Sequence, residues 1–314
     1  MKNYRQPDQT IWNGRTSEST LYFHEKIKCF DLSEETLPKT DEKVISILGY
    51  ECDEGVARNK GRVGAVAGPN AIRKMLAPLS NHFKKDTQIF DVGNIICQNN
   101  DLERSQRSAS DIISYLIENK SFPIVLGGGH DLAYAHYNGI KKCSTNKKIG
   151  VINLDAHFDL RTVTDKPNSG TPFYQIAKEN GNIHYLCLGI QKASNNRELF
   201  ETAKALNVQH LENTEYTLEN KAHVLQTIND FINEVDYVYL TIDLDGFSSA
   251  IAPGVSAPSP FGFGVAIASE TIKCICDSKK LISVDLVELN PTYDIDNSTA
   301  RLAARLIYNI IETL

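Results

Sequence analysis

KIGVINLDAHFDLR, residues 148–161, decides the fold: a near-continuous apolar run ends abruptly in three metal-type ligands, Asp155, His157 and Asp159. Such a run suits a strand covered on both faces, as in a parallel sheet. Two other stretches share this grammar. FPIVLGGGHD (122–131) places His130 after an apolar run and three glycines, and VYLTIDLDGF (238–247) places Asp243 and Asp245 after another. Open α/β sheets put their active sites at the carboxyl ends of the strands, so the three clusters are expected at one mouth of one sheet. Side chains of an extended chain alternate in direction, which predicts Asp155, His157 and Asp159 on a common face and Asp243 with Asp245 on another.

Working outward, five more runs read as strands: VISILGY (44–50), TQIFDVG (87–93), IHYLCLGI (183–190), VQHL (208–211) and ISVDLVEL (282–289). Helical stretches lie between them. GPNAIRKML (68–76) has a Pro near its start, LERSQRSASDIISYLIEN (102–119) is amphipathic, and the C-terminal segment aligns Leu302, Leu306, Ile310 and Ile311 along one stripe. This alternation predicts a three-layer α/β/α single domain, doubly wound by right-handed crossovers. Residues 1–42 are polar and irregular, and are expected to form an arm anchored on the main body, 43–314, through Trp12 and Tyr22–Phe23.

The formal net charge is −6 with no Lys/Arg block, so the electrostatic footprint of a nucleic-acid binder is missing and a small-molecule partner is expected. The seven cysteines are odd in number and scattered, as reduced core residues are. Cys274 and Cys276 form CxC on an expected helix, where they point to opposite sides and suit no thiolate site. The N-terminal MKNYRQPDQT lacks an apolar signal core and no run approaches the ~18 apolar residues of a membrane helix, so a cytoplasmic protein without membrane contact is expected.

One Asp cluster alone would read equally well as capping chemistry at a strand end. Three clusters change the balance, because burying several carboxylates together costs several kcal/mol each unless a cation compensates them. Imidazole and carboxylate without thiolate suit Mn²⁺ or a similar hard ion, and two such ions can hold one water at lowered pKa for hydrolysis. Asp159 and Asp243 are expected to bridge, with His130, His157, Asp155 and Asp245 filling the other positions. GGGHD matches neither GxGxxG nor the Lys-containing phosphate loop, so its glycines are expected to bring the backbone close to the metals. The remaining histidines, His24, His82, His136, His184, His210 and His223, lack acidic neighbours at ligand spacing and read as surface or satisfied core residues.

GGGHD, INLDAHFDLR and TIDLDGF, followed by APGVSAPSPFG and VELNP, resemble the ureohydrolase family of arginase and agmatinase from about residue 44 to the C-terminus. The resemblance implies an arginase-like domain with an eight-stranded parallel sheet, two Mn²⁺ ions per subunit ligated by His130, Asp155, His157, Asp159, Asp243 and Asp245, and a trimer or hexamer. It also implies C–N hydrolysis by a hydroxide held between the metals, which Asp159 orients, with Glu288 receiving the cationic amidine. Within the family, IWNGR (11–15), ECDEGVARNKGRVGA (51–65), NSGTPFYQI (168–176), LGIQKASNN (188–196) and DIDNSTARLAARL resemble the branch that hydrolyses N-formimidoyl-L-glutamate to L-glutamate and formamide in histidine degradation. Ser169 stands where arginase-type members carry a proton-shuttle histidine, and serine cannot shuttle at neutral pH. Arg161 is then the expected partner of a substrate carboxylate, with Ser194 and Asn195, and more remotely Arg58 and Arg62, as further contacts. The alternative is a guanidino ureohydrolase that releases urea, whose cationic substrate would want an acidic pocket in place of Arg161.

Overall fold

The computed structural model describes residues 3–40 and 42–314. Ten strands form one sheet: β1 Tyr4–Arg5, β2 Lys28–Cys29, β3 Val44–Glu51, β4 Gln88–Ile96, β5 Ser121–Leu126, β6 Ile149–Leu154, β7 His184–Ile190, β8 Gln209–Glu212, β9 Tyr237–Asp243 and β10 Leu281–Val287. The order is β1-β4-β3-β5-β10-β9-β6-β7-β8, with β2 also on β4, and every pairing except β1 with β4 is parallel.

All eight strands read from the apolar runs are present, and alternate residues feed two separate cores. Ile124, Leu126, Ile152, Leu154, Leu240 and Ile242 face the helices Gly68–Leu76, Lys221–Asn233, Val265–Asp277 and Ser298–Thr313. Val125, Val151, Tyr239 and Val287 face Leu102–Glu118, Leu132–Cys143, Pro172–Asn180 and Arg197–Ala205. The result is the three-layer α/β/α arrangement with an arginase-like, mostly parallel sheet. After β3 the chain goes to one side as β4, then to the other from β5 onward, and β9 and β10 return between β5 and β6. The carboxyl ends of β5, β10, β9 and β6 are therefore adjacent, although their sequence positions span more than half the chain. No helix among the described residues is long and apolar enough to cross a membrane.

The strand count departs from eight because the arm itself adds β1 and β2 to the outer edge of β4, pairing Tyr4 with Ile95 and Lys28 with Phe90. Two-residue strands are too short to show a hydrophobic period, and covering an edge this way removes exposed pairing groups. Trp12 anchors the arm: it is buried, stacks on Phe23 at 5.7 Å, and donates its indole N–H to Asp91 Oδ2 at 2.7 Å. Asp91 Oδ1 accepts from Arg73 Nη2 at 2.8 Å, so indole and guanidinium share one buried carboxylate. Tyr22 stays partly exposed and leaves the anchoring to its neighbour Phe23.

Trp12→Phe retains the ring and removes the donor, and should lower stability by about 1 kcal/mol; Trp12→Ala should cost about 3–5 kcal/mol. Urea unfolding checks both, and wild-type stability of Trp12→Ala would mean that the arm contributes nothing.

Candidate metal centre

Four adjacent strand ends build the site. β5 runs into the GGGHD loop carrying His130, β10 ends one residue before Glu288, β9 ends in Asp243, and β6 ends one residue before Asp155. The loop glycines meet a close-packing requirement. A Cβ on Gly128 would fall 1.8 Å from Cys52 O, and one on Gly127 would fall 2.5 Å from Val287 Cγ1, so the loop needs glycine to lie against the ends of β3 and β10.

The extended-chain alternation expected for the Asp clusters is absent. Asp155–His157 form a bend, Asp159 takes a left-handed φ of 50°, and Leu244–Gly246 form a 3₁₀ turn. The six candidate ligands still converge. His130 Nδ1 lies 3.3 Å from Asp155 Oδ2, 3.0 Å from Asp159 Oδ2 and 3.0 Å from Asp243 Oδ2. His157 Nδ1 lies 3.4 Å from Asp155 Oδ1 and 3.3 Å from Asp245 Oδ2. Two groups result, His130/Asp155/Asp159/Asp243 and Asp155/His157/Asp245, each with ligand atoms within 4.8 Å of one another. Asp155 is the member both groups share. Capping also occurs in the same residues: Asp155 Oδ1 accepts the His157 N–H at 2.7 Å and Asp243 Oδ1 the Asp245 N–H at 2.8 Å.

These donors fit a cation. His130 Nδ1 is buried without a hydrogen bond although carboxylate oxygens surround it, and Asp245 Oδ1 is likewise unpartnered. Burial pushes Asp245 up to about 7, with Asp155 adding to the rise and His157 opposing it. Burial, with Asp245 and Asp155 beside it, holds Asp243 well above the carboxylate range, and Glu288 is raised by burial and by Asp243. Protons retained by crowded buried carboxylates are what a bound cation would replace.

Behind His130 runs a polar chain that the sequence did not disclose. Thr241 Oγ1 donates to Asp285 Oδ1 at 2.6 Å and lies 3.0 Å from His130 Nε2. A hydroxyl has one proton, so Thr241 must accept from Nε2–H, which leaves the Nδ1 lone pair facing the carboxylates. Asp285 Oδ2 is held in turn by Tyr239 O–H and by His136 Nδ1 at 2.6 Å. His136 is thus a satisfied core histidine, as expected, but one tied to the ligand shell.

A cavity of about 280 Å³ is lined by His157, Asp159, Asp243, Asp245 and Glu288 together with Arg161, Lys60, Arg62, Ser169, Ser194 and Asn195. Glu288 has a left-handed φ of 67°, and its Oε1 accepts the His130 N–H at 2.8 Å. Arg161 is exposed and in no ion pair among the described residues, as is Lys60, which sequence reading missed inside its NKGR run. Arg58 is taken by Glu54 and Glu103 at 2.9 and 2.6 Å and lies outside the cavity lining. Arg62 is pinned to the carbonyls of Val255 and Ser256, with its guanidinium 3.8 Å from the Tyr293 ring centroid. The Asn195 amide is occupied by the backbone of Phe158, Ala156 and Gln191, and Ser169 Oγ accepts from Asn59 Nδ2 at 3.1 Å. No cysteine joins a metal-type cluster among the described residues.

Comparison with known proteins agrees with this architecture. The family model for the Arginase family matches residues 43–312. A formimidoylglutamase of Geobacillus sp. strain WCH70 is 40% identical over 306 residues, covering 96% of this chain and 94% of that protein. One from Aliivibrio fischeri is 39% identical, covering 99% and 96%. The crystal structure of formimidoylglutamase from Bacillus subtilis superposes with a TM-score of 0.83 at 23% identity, over 96% of this chain and 94% of that one. With the match running through every strand that carries a ligand, the chain belongs to the arginase family, hydrolases of amidine C–N bonds.

Proposed function

We propose that this protein is a formimidoylglutamase, hydrolysing N-formimidoyl-L-glutamate to L-glutamate and formamide in histidine degradation with two Mn²⁺ ions per subunit. The carrying observation is that one cavity holds both an acid for an amidinium, Glu288, and unpaired cations for carboxylates, Arg161 and Lys60. The near-full-length relatives of that name support the reading. A guanidino substrate carrying an extra cation would meet these two positive groups unfavourably. We read residues 43–314 as the catalytic domain and the preceding segment as its arm.

His130, Asp155, Asp159 and Asp243 would hold one ion, and Asp155, His157 and Asp245 the other. When bound, the pair would supply a water of lowered pKa and offset the negative charge on its oxygen. Glu288 positions that carbon. Its Oε1 is fixed by the His130 N–H, and the remaining lone pairs of both oxygens can accept the two amidinium N–H groups. Asp159, with 15% of its side chain exposed, is the most open of its group and faces the cavity, so it receives the hydrogen bond of the attacking water. Arg161 and Lys60 orient the two carboxylates, and Ser194, Ser169 and Asn195 line the same cavity. The water oxygen forms a bond to the formimidoyl carbon; the bond from that carbon to the glutamate nitrogen then breaks, the nitrogen takes a proton and leaves as the amine of L-glutamate, and the carbon remains in formamide.

The decisive assay is Mn²⁺-reconstituted protein with N-formimidoyl-L-glutamate, agmatine, arginine and guanidinobutyrate in parallel. Glutamate and formamide from the first substrate alone are expected; urea from a guanidino compound would overturn the substrate assignment. Arg161→Ala should raise KM about 10- to 100-fold with little change in kcat, the loss of a charge-assisted hydrogen bond. Asp285→Asn should weaken Mn²⁺ binding about 10- to 100-fold by releasing Thr241 and the His130 ring. Titration of the folded variant followed by electron paramagnetic resonance would show it, and unchanged affinity would remove the orienting role.

A further inference from the structure

Cys52 and Cys97 occupy a place that no step of the hydrolysis uses. Each is the first residue beyond a strand, β3 and β4 respectively, and these strands are parallel neighbours whose last register pair is Glu51 with Ile96. The cysteines therefore stand directly opposite one another, and the Cys97 N–H donates to Glu51 O at 3.2 Å. Neighbouring strands lie ~4.8 Å apart, inside the ~4.4–6.8 Å Cα separation a disulfide spans. Both side chains point to the same face, with Tyr50 and Ile95 in one apolar cluster.

The two thiols are unlike. Cys52 is buried, whereas Cys97 is only partly covered and open to a small solute. The Cys52 thiol, donating to the Cys97 sulfur, pulls Cys97 down to about 7, and Ser105 helps against the opposing effect of burial. No other cysteine has a cysteine opposite it: Cys29 pairs with Asp91, and Cys187 with Asn153 and His210.

We propose that Cys52 and Cys97 form a reversible dithiol–disulfide site, oxidised by a hydroperoxide, that couples to the metal centre through the GGGHD loop. The Cys97 thiolate attacks the O–O bond, taking one oxygen as a sulfenic acid and releasing the other as water after protonation. The Cys52 thiol then attacks that sulfur, the S–S bond forms, and the sulfenic oxygen leaves as a second water. Two electrons from the two thiols reduce one peroxide. The Cys52 carbonyl accepts the Gly129 N–H at 3.0 Å, one residue before His130. Residues 56–62, beginning four positions after Cys52, supply Val56, Asn59, Lys60, Gly61 and Arg62 to the cavity wall. Drawing the two strand ends together thus moves both the His130 loop and the substrate wall.

The test treats Mn²⁺-loaded protein with hydrogen peroxide, blocks free thiols with N-ethylmaleimide, and maps peptides without reduction while turnover is followed. A 52–97 cross-link is expected, with turnover falling at least severalfold and recovering in dithiothreitol. Cys97→Ser should form no cross-link and keep its turnover under peroxide. Sulfinic acid on Cys97 with Cys52 still alkylated, or equal inactivation of Cys97→Ser, would overturn the site, and a cross-link that leaves turnover unchanged would overturn its coupling to the centre. The coupling is read with the substrate of the proposed function. The peptide map does not depend on that substrate, so failure of the substrate assignment is distinguishable.

Discussion

Five carboxylates, Asp155, Asp159, Asp243, Asp245 and Glu288, crowd together at buried or nearly buried positions with only two imidazoles among them. Such a cluster is repulsive by construction, since removing like charges from water costs several kcal/mol each. The rest of the site answers that constraint. Backbone N–H groups and the Asn153 amide absorb part of the charge, two residues accept left-handed backbone, and the remaining negative charge suits divalent cations. Non-glycine residues in that conformation cost about 1–2 kcal/mol each. They occur at Asp159 and Glu288, where an extended backbone would direct the carboxylate elsewhere.

The cavity lining carries charge of both signs: Asp159, Asp243, Asp245 and Glu288 are acidic, and Arg161 and Lys60 have no ion-pair partner among the described residues. A molecule with a cationic head and anionic tail finds complementary charge at both ends, whereas the arginines with carboxylate or carbonyl partners are already spent. Arg58 ends the helix Glu54–Arg58 and is paired with Glu54 and Glu103, and Arg62 is bound to two backbone carbonyls, whereas Arg161 keeps its guanidinium free among the described residues.

Much of this was legible in the sequence because the ligands sit in short local motifs directly after apolar runs, and strand ends are where buried polar groups can meet solvent. The supporting groups were not, because their partners are distant: His136 and Asp285 are 149 residues apart, Thr241 and Asp285 44, and Arg58 and Glu103 45. One signal was available. Thr241 and Asp285 are polar residues inside otherwise apolar strands, and a buried polar group must find a partner. The left-handed backbone at Asp159 was unreadable for another reason, since nothing in an Asp announces it as glycine would. β1 and β2, at two residues each, carry too little pattern to be seen.

The placement of β9 and β10 between β5 and β6 has a consequence for biosynthesis. Until residues 237–287 have been made, the sheet can exist only as two separate halves, β4-β3-β5 and β6-β7-β8, each with an open inner edge. Contacts of such long sequence separation form slowly, and open edges invite pairing with other chains. The last quarter of the chain acts as the zip that joins the halves, and it also brings Asp243, Asp245 and Glu288. Cation capture by the full ligand set must therefore follow closure of the sheet, so metal binding rewards the finished fold and cannot guide its earlier stages.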